Sequence, residues 1–307
     1  MVSTAPSDLV SAHQRCNGGR SPITETKGRS EMQVIGLCRF SYPAIGGFQV
    51  THPSPEDRMK SLWAPERMAS RFATFEAYTL PCIRAQTDGD FTFIIVIGDT
   101  MPRTYKSRLQ DLVADVPQIV IREHAPGKHR RVMSGVINAE RARGKSPCLQ
   151  FRLDDDDAVA LHFVAELRRR AGQALPVLSD HRSLAIDFNQ GFVVHSGPDG
   201  ISAAPVRERC WTPGLAVMLQ PRTRLTVMNF NHSRIWERMP VLSFPGEDMM
   251  IRGHTEYNDS RQKSAARPVK TTLLDKDHED YFRMAFNVDA DEVRRLFSPA
   301  HQAAFTV

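Results

Sequence analysis

Four consecutive aspartates, Asp154 to Asp157, follow the apolar run CLQFRL (Cys148 to Leu153) and precede another, AVALHFV. Adjacent carboxylates repel one another more strongly as water is withdrawn, so such a run at the end of a hydrophobic segment calls for positive charge among them. Carboxylate oxygens are the ligands that hard divalent cations take, and Mg²⁺ or Mn²⁺ held by one or two of them in turn grips phosphate oxygens. On extended backbone alternate side chains share a face. Asp154 and Asp156 would then converge as metal ligands, while Asp155 and Asp157 face elsewhere or cap a following helix at its positive end. The plainer alternative is that all four cap that helix or stand in solvent.

Other residues could complete such a site. Asp99 closes the apolar run FTFIIVIG (Phe91 to Gly98), a second carboxylate at the end of a strand-like segment. Glu247 and Asp248 are adjacent carboxylates in FPGEDMMIR, which on their own read as an exposed acidic turn before a helix. His232 (in NFNHSR) and His254 (in IRGHTEYND) could add a nitrogen ligand, although a lone histidine is more often structural. Arg39 and the basic stretch Lys128 to Arg131 could meet a diphosphate, and for Arg39 a surface role is the alternative. Trp211, Trp236 and Tyr257 could stack on a sugar ring, and the polar cluster His254 to Gln262 could bind an acceptor or phosphate.

The elements that must position these groups alternate along the chain. QVIGLCRF reads as a buried strand, Pro55 to Thr87 as mostly helix, Phe91 to Asp99 as a second strand and Thr104 to Val116 as an amphipathic helix. Gln118 to His124, Val132 to Gly144 and CLQFRL follow as strand, helix and strand. After the aspartates come a helix over Leu161 to Gly172 and the strand-like segments AIDFNQGFVVH, GISAAPV, LAVMLQP and LTVMNF, with a hairpin at HSGPDG. Strands apolar throughout, separated by helices, predict an α/β fold: a mostly parallel sheet covered on both faces. Ligands of such sheets sit beyond the carboxyl ends of the strands, where Asp99 and the aspartate run both fall.

Composition narrows the class. With 41% hydrophobic and 24% charged residues, the chain of 307 reads as globular beyond a polar stretch, 1–31, expected to be disordered; 32–307 reads as one domain. Five scattered cysteines without a CxxC pair argue against a disulfide framework or zinc knuckle, and Cys38, Cys82 and Cys148 read as small buried hydrophobes. Apolar runs are too short to span a bilayer and no secretory signal is evident, so a cytoplasmic protein is expected; peripheral attachment to the inner membrane face stays compatible. A net charge of +5 without aromatic and basic interleaving gives no nucleic-acid footprint.

The order of these segments resembles GT-A glycosyltransferases of the broad family 2 type. LPCIRAQTDGDFTFIIVIGD is similar to their opening block, INAERARGKSPCLQFRLDDDDAV to the block carrying the D-x-D motif, and FPGEDMMIR to their later E-D motif. More narrowly, MQVIGLCRFSYPAIGGFQV and CLQFRLDDDDAVA resemble a bacterial rhamnosyltransferase family, over Met32 to about Arg261. The resemblance implies a GT-A fold and transfer of a sugar from a dTDP-, UDP- or GDP-sugar donor to a glycan or other hydroxyl acceptor. It assigns the metal to Asp154 and Asp156, with His254 or His232 completing the set, and a nucleoside contact to Asp99; Arg39, Asp154 and Asp155 are further candidates for nucleotide contact. It makes Asp248, or the adjacent Glu247, the catalytic base. CRFSYP departs from the family 2 start. The alternatives are a sugar-phosphate nucleotidyltransferase and a non-catalytic module holding Ca²⁺, but neither a Gly/Arg-rich phosphate loop nor a glycine turn inside DDDDAVA is present.

Overall fold

The computed structural model describes residues 32–46, 54–142, 144–254 and 269–305. The stretch 1–31, Tyr257 and all of the polar cluster after His254 lie outside the described residues. What is described belongs to one compact unit, Glu31–Val307.

The first half alternates as its apolar periodicity demands: β1 (Gln33–Arg39), α1 (Pro55–Leu62), α2 (Pro65–Thr74), α3 (Leu80–Arg84), β2 (Thr92–Gly98), α4 (Arg103–Val113), β3 (Ile119–His124), α5 (His129–Glu140) and β4 (Cys148–Arg152). Five residues of π-helix, Phe75–Thr79, join α2 to α3. Pro81 lies in the first turn of α3 and has no N–H to donate, so the ladder widens here, with Leu80 N bonded to Phe75 O. The widening turns Thr79 inward, and it is fully buried.

The second half supplies β5 (Ala158–Val159), α6 (Phe163–Ser179), β6 (Ser183–Phe188), β7 (Gln190–Gly197), β8 (Gly200–Arg207), β9 (Leu215–Leu219), β10 (Val241–Phe244), β11 (Met250–Gly253), β12 (Thr272–Leu273) and α7 (Lys276–Phe286). Seven strands form the main sheet in the order β10-β6-β9-β4-β1-β2-β3, and five form a second sheet, β12-β8-β7-β11-β5. In the main sheet β9 alone runs antiparallel to its neighbours. The layered α/β fold with a mostly parallel sheet is therefore the observed one. The second sheet was not foreseen, because AIDFNQGFVVH is one apolar run in the sequence but changes sheet at Asn189.

Opposite faces of β4 bury different partners. Phe151 stacks on Phe93 at 6.2 Å between centroids and meets Phe163 edge-on at 5.2 Å, which continues through Phe188 to Phe244. Gly36 makes room for that row, since a Cβ there would come within 2.5 Å of both Phe151 and Phe93. On the other face Leu37 packs in a cluster with Met133, Val136 and Ile137 of α5 and with Val227 and Met228. LTVMNF is not the strand its pattern suggests. Thr226 and Asn229 cap a 3₁₀ turn reciprocally, and buried Gln150 of β4 accepts the Val227 N–H at 3.0 Å. The helix after the aspartates also runs past Gly172 to Ser179, because buried Ala174 and Leu178 prolong its apolar stripe. HSGPDG forms the expected hairpin, with Gly197 opposite Gly200. Cys38, Cys82, Cys148 and Cys210 are buried free thiols. No helix among the described residues is long and apolar enough to cross a membrane.

Because Phe151 sits at the centre of the aromatic row, Phe151→Ala should lower unfolding free energy by about 3–5 kcal/mol. Urea denaturation should show this as a lower midpoint with an unchanged slope, and a loss below about 1 kcal/mol would contradict the packing described.

Candidate active site

The parallel pairing of β1 and β4 sets Leu37 opposite Arg152, and the Leu153 N–H donates to Leu37 O at 3.0 Å. One register step further, Arg39 and Asp154 stand level at the carboxyl edge. Alternation puts Arg39, Arg152 and Asp154 on the face covered by α5. Asp99 follows β2 at the same edge, exposed, with its N–H donated to His124 O at 3.1 Å. Since Arg39 pairs with Val96, Asp99 lies three residues, about 10 Å, further along the strand direction.

Beyond Asp154 the backbone is not extended. The Asp157 N–H closes onto Asp154 O at 3.1 Å, so the four aspartates form a tight turn. The buried Thr79 hydroxyl lies within hydrogen-bonding distance of both carbonyls that frame it, Asp157 O at 2.8 Å and Asp154 O at 3.1 Å. The side chains consequently diverge. Asp155, buried, accepts from Arg71 Nη1 at 2.7 Å, and the same guanidinium nitrogen lies 3.9 Å from Asp156 Oδ2. Asp157 Oδ1 accepts the Gly253 N–H at 3.0 Å. Only glycine fits at 253, since a Cβ there would lie 2.1 Å from Asp156 O.

The positive charge the run requires comes from arginines. Burial works to raise the Asp154 carboxyl, but Arg39, Arg152, Arg252 and Arg71 together outweigh it and hold the group below the ordinary range. Asp156 is pushed up to about 7, mainly by burial, with Arg71 opposing and Asp155 and Asp154 reinforcing the rise. Burial, then the neighbouring Asp156, carries Asp157 well above the carboxylate range. Asp155, expected to contact nucleotide, is instead tied to α2 through Arg71 on the opposite face from Asp154.

Three histidines border the basin. His129 opens α5 with its Nε2 3.5 Å from Arg39 Nη1, and burial plus Arg39 and Arg152 lower its pKa to about 3, leaving a neutral ring. Buried Asp187 accepts the Cys210 N–H at 2.9 Å, steadying a left-handed turn at Cys210 (φ 60°). The Cys210 carbonyl accepts from His232 Nδ1 at 3.0 Å, which leaves Nε2 with its lone pair. Burial and then Arg152 lower His232, while burial, Arg252 and His195 lower His254. Trp211 lies 5.2 Å under the Arg252 guanidinium, whereas Trp236 is 59% exposed and stacks on nothing described here.

Glu247 and Asp248 lie just before β11. In the antiparallel pairing of β11 with β5, Met250 faces Val159 and Ile251 faces Ala158, while Gly253 reaches the aspartates. Asp248 comes two residues before Met250, where β11 begins, and a base there needs reach to the reacting hydroxyl rather than to the aspartate turn itself. Its carboxylate accepts from Gln190 Nε2 at 3.0 Å and Tyr281 Oη at 2.8 Å, and Glu247 lies 3.1 Å from His162 Nε2.

Among the described residues no three His, Cys, Asp or Glu side chains gather so as to hold a metal ion. What the turn offers is Asp154 and Asp156. That fits Mg²⁺ or Mn²⁺, which take one or two carboxylates and complete their shell with substrate phosphates and water. The residues overlooked in the sequence are Arg71, Arg152, Arg252 and Thr79. Arg152 and Arg252 carried a signal, since each is a lone charge ending an apolar strand, CLQFR and MIRG. Arg71 carried a weaker one, four residues after Arg67 on the buried stripe of α2.

The family described as "Putative rhamnosyl transferase" matches residues 33–267, and the chain belongs to it. It is thus a member of a glycosyltransferase family, built on the layered α/β fold described above. Among solved structures, S. aureus TarS 1–349 in complex with UDP-GlcNAc is similar at 10% identity and TM-score 0.32, over 90% of this chain and 70% of that one. A second S. aureus TarS structure matches at 12% identity and TM-score 0.29, over 52% of this chain and 21% of that one. A 4-diphosphocytidyl-2C-methyl-D-erythritol synthase from Anaerococcus prevotii matches at 10% identity and TM-score 0.30, over 70% and 88%. The match thus spans about a fifth of that second TarS chain. No curated protein matches the sequence.

Two outcomes test this geometry. Thr79→Val removes a buried donor from the turn and should cost about 1–2 kcal/mol in urea denaturation; a neutral effect would show that the turn does not depend on it. The second concerns pH. A carboxyl whose folded value is raised binds its proton more tightly folded than unfolded, so its contribution is complete below the ordinary range and is lost as pH rises through about 7. Without added metal, the melting temperature should therefore fall between pH 5 and 8, and Asp156→Asn should flatten part of that fall. An identical pH profile in the variant would remove Asp156 from the account.

Proposed function

We propose that the chain transfers a sugar from a nucleoside diphosphate donor to a hydroxyl of a glycan acceptor, with dTDP-rhamnose the first donor to test. The observation that carries this reading is the ionised Asp154 at the carboxyl end of β4 amid Arg39, Arg152 and Arg252. It is a place where a doubly charged leaving group and a cation can be held together. Family membership agrees with it.

In this reading Asp99 contacts the nucleoside at the edge of β2. Asp154 and Asp156 hold Mg²⁺ or Mn²⁺, with His232 or His254 as the nitrogen ligand, since both rings are kept neutral by burial and neighbouring cations. When bound, the ion supplies Lewis-acid neutralisation of charge developing on the leaving phosphate. Arg39 and Arg152 flank Asp154 and orient the diphosphate through planar, bidentate donors. Trp211, fixed against Arg252, offers its free face to an apolar patch of sugar.

Incubation with UDP-, GDP- and dTDP-sugars plus Mn²⁺ should release the matching nucleoside diphosphate, slowly to water and faster with a glycan acceptor. Asp154→Asn should lower that rate by about 100-fold or more, the scale for loss of a group that stabilises transition-state charge. Pyrophosphate formation from a nucleoside triphosphate and a sugar phosphate, with no diphosphate release, would support a nucleotidyltransferase instead.

A further inference from the structure

We infer that the donor's diphosphate is gripped by the chain's own cations, Arg39, Arg130 and Arg152 with the first turn of α5, in a subsite that works without a divalent ion. This rests on the donor reading above and specifies how that donor is held.

The first ground is an excess of fixed positive charge. The charges that act on Arg152 are Arg39, Arg130 and Arg252, all repelling it, against Asp154. Of the other aspartates, Asp155 is taken by Arg71 and Asp157 by the Gly253 N–H, so neither turns toward this basin. Arg152 is half-buried, on a strand end, and among the described residues its guanidinium makes no hydrogen bond or ion pair. Arg130 likewise has no ion pair among the described residues and stands exposed at the rim. Like charges gathered this closely are unfavourable unless an anion joins them.

The second ground is independent of the side chains. The twelve-residue α5 starts at this edge with Lys128 as its N-cap, which offers no side-chain cap. The His129 N–H goes to Ile45 O and the Val132 N–H to Lys128 O. The N–H groups of Arg130 and Arg131 have no acceptor among the described residues. Two open N–H groups at the positive end of a helix are donors suited to phosphate oxygens. Neutral His129 beside Arg39 adds no further charge that would draw in a second anion.

Both grounds meet at the end of β1 and β4, between Asp99 on one side and the aspartate turn on the other. A ligand with two adjacent phosphates and a nucleoside at one end spans that stretch, whereas a monoanion would leave most of the arginine charge uncompensated. The same arrangement accounts for a site with few carboxylates, because the cations already in the protein perform part of the neutralisation that a metal ion would otherwise supply.

The test is isothermal titration of the full-length chain with UDP, dTDP and GDP, in EDTA and in Mn²⁺, at low and moderate salt. At least one diphosphate should bind in EDTA with a Kd within tenfold of its Mn²⁺ value, and binding should weaken as salt rises. Arg152→Gln should weaken binding in EDTA tenfold or more. Arg130→Ala, at an exposed position that leaves folding intact, should weaken it at least threefold, while the parent nucleoside should be unaffected by either change. Asp154→Asn should bind the diphosphate in EDTA as tightly as the parent chain or more tightly. Binding seen only with Mn²⁺, or lost in EDTA on Asp154→Asn, would overturn the inference while leaving the donor reading intact. No diphosphate binding under either condition would overturn both.

Discussion

Arg71 sits between Asp155 and Asp156 with both carboxylates within 4.0 Å, inside a core where neither charge could stand alone. That contact makes the aspartate turn possible. Breaking one partner of such a pair strands a buried charge, which is why it constrains everything around it. α2 must approach β4 closely enough to deliver the guanidinium, and the π-helical widening ahead of Pro81 then turns Thr79 onto the turn's backbone. From the other side β11 presents Gly253, the only residue type that can lie against Asp156 O. Helix, strand and turn are fixed by one another, and Asp154 is left at the carboxyl edge, where Arg39 and Arg152 join Arg252 and Arg71 around it.

This division of labour explains why the acidic run is not a polyanionic cage. Asp155 and Asp157 act as structural groups, tied to α2 and β11. Asp154 is the ionised member that faces the carboxyl edge, and Asp156 lies between the two roles, buried and raised to about 7. Two carboxylates with a surrounding of guanidinium groups suit a ligand that brings its own negative charge. A nucleoside diphosphate is such a ligand, and the family to which the chain belongs is one of sugar transferases.

The strand ends were legible in the sequence because apolar runs such as FTFIIVIG and CLQFRL can only be buried strands when they are this short and this uniform. Asp99 and Asp154 could therefore be placed at one edge before any coordinates. The local shape of the run was not legible. Strand alternation holds up to Asp154 and fails after it, since a turn closed between Asp157 N and Asp154 O has its own geometry. Nor was the partnership with Arg71 legible, because 84 residues separate it from Asp155 and a buried arginine reads like any other helix arginine. The partners of Asp248 were not legible either, because Gln190 and Tyr281 lie 58 and 33 residues away along the chain.

Hydrogen–deuterium exchange of the chain, with and without a nucleoside diphosphate and Mn²⁺, reports where the donor is held. If the donor sits where β1 and β4 end, added nucleotide slows exchange in peptides covering residues 38–42, 126–132 and 153–159 and leaves 245–249 unchanged. Protection confined to the peptide around Asp248, with none at the aspartate turn, would contradict it.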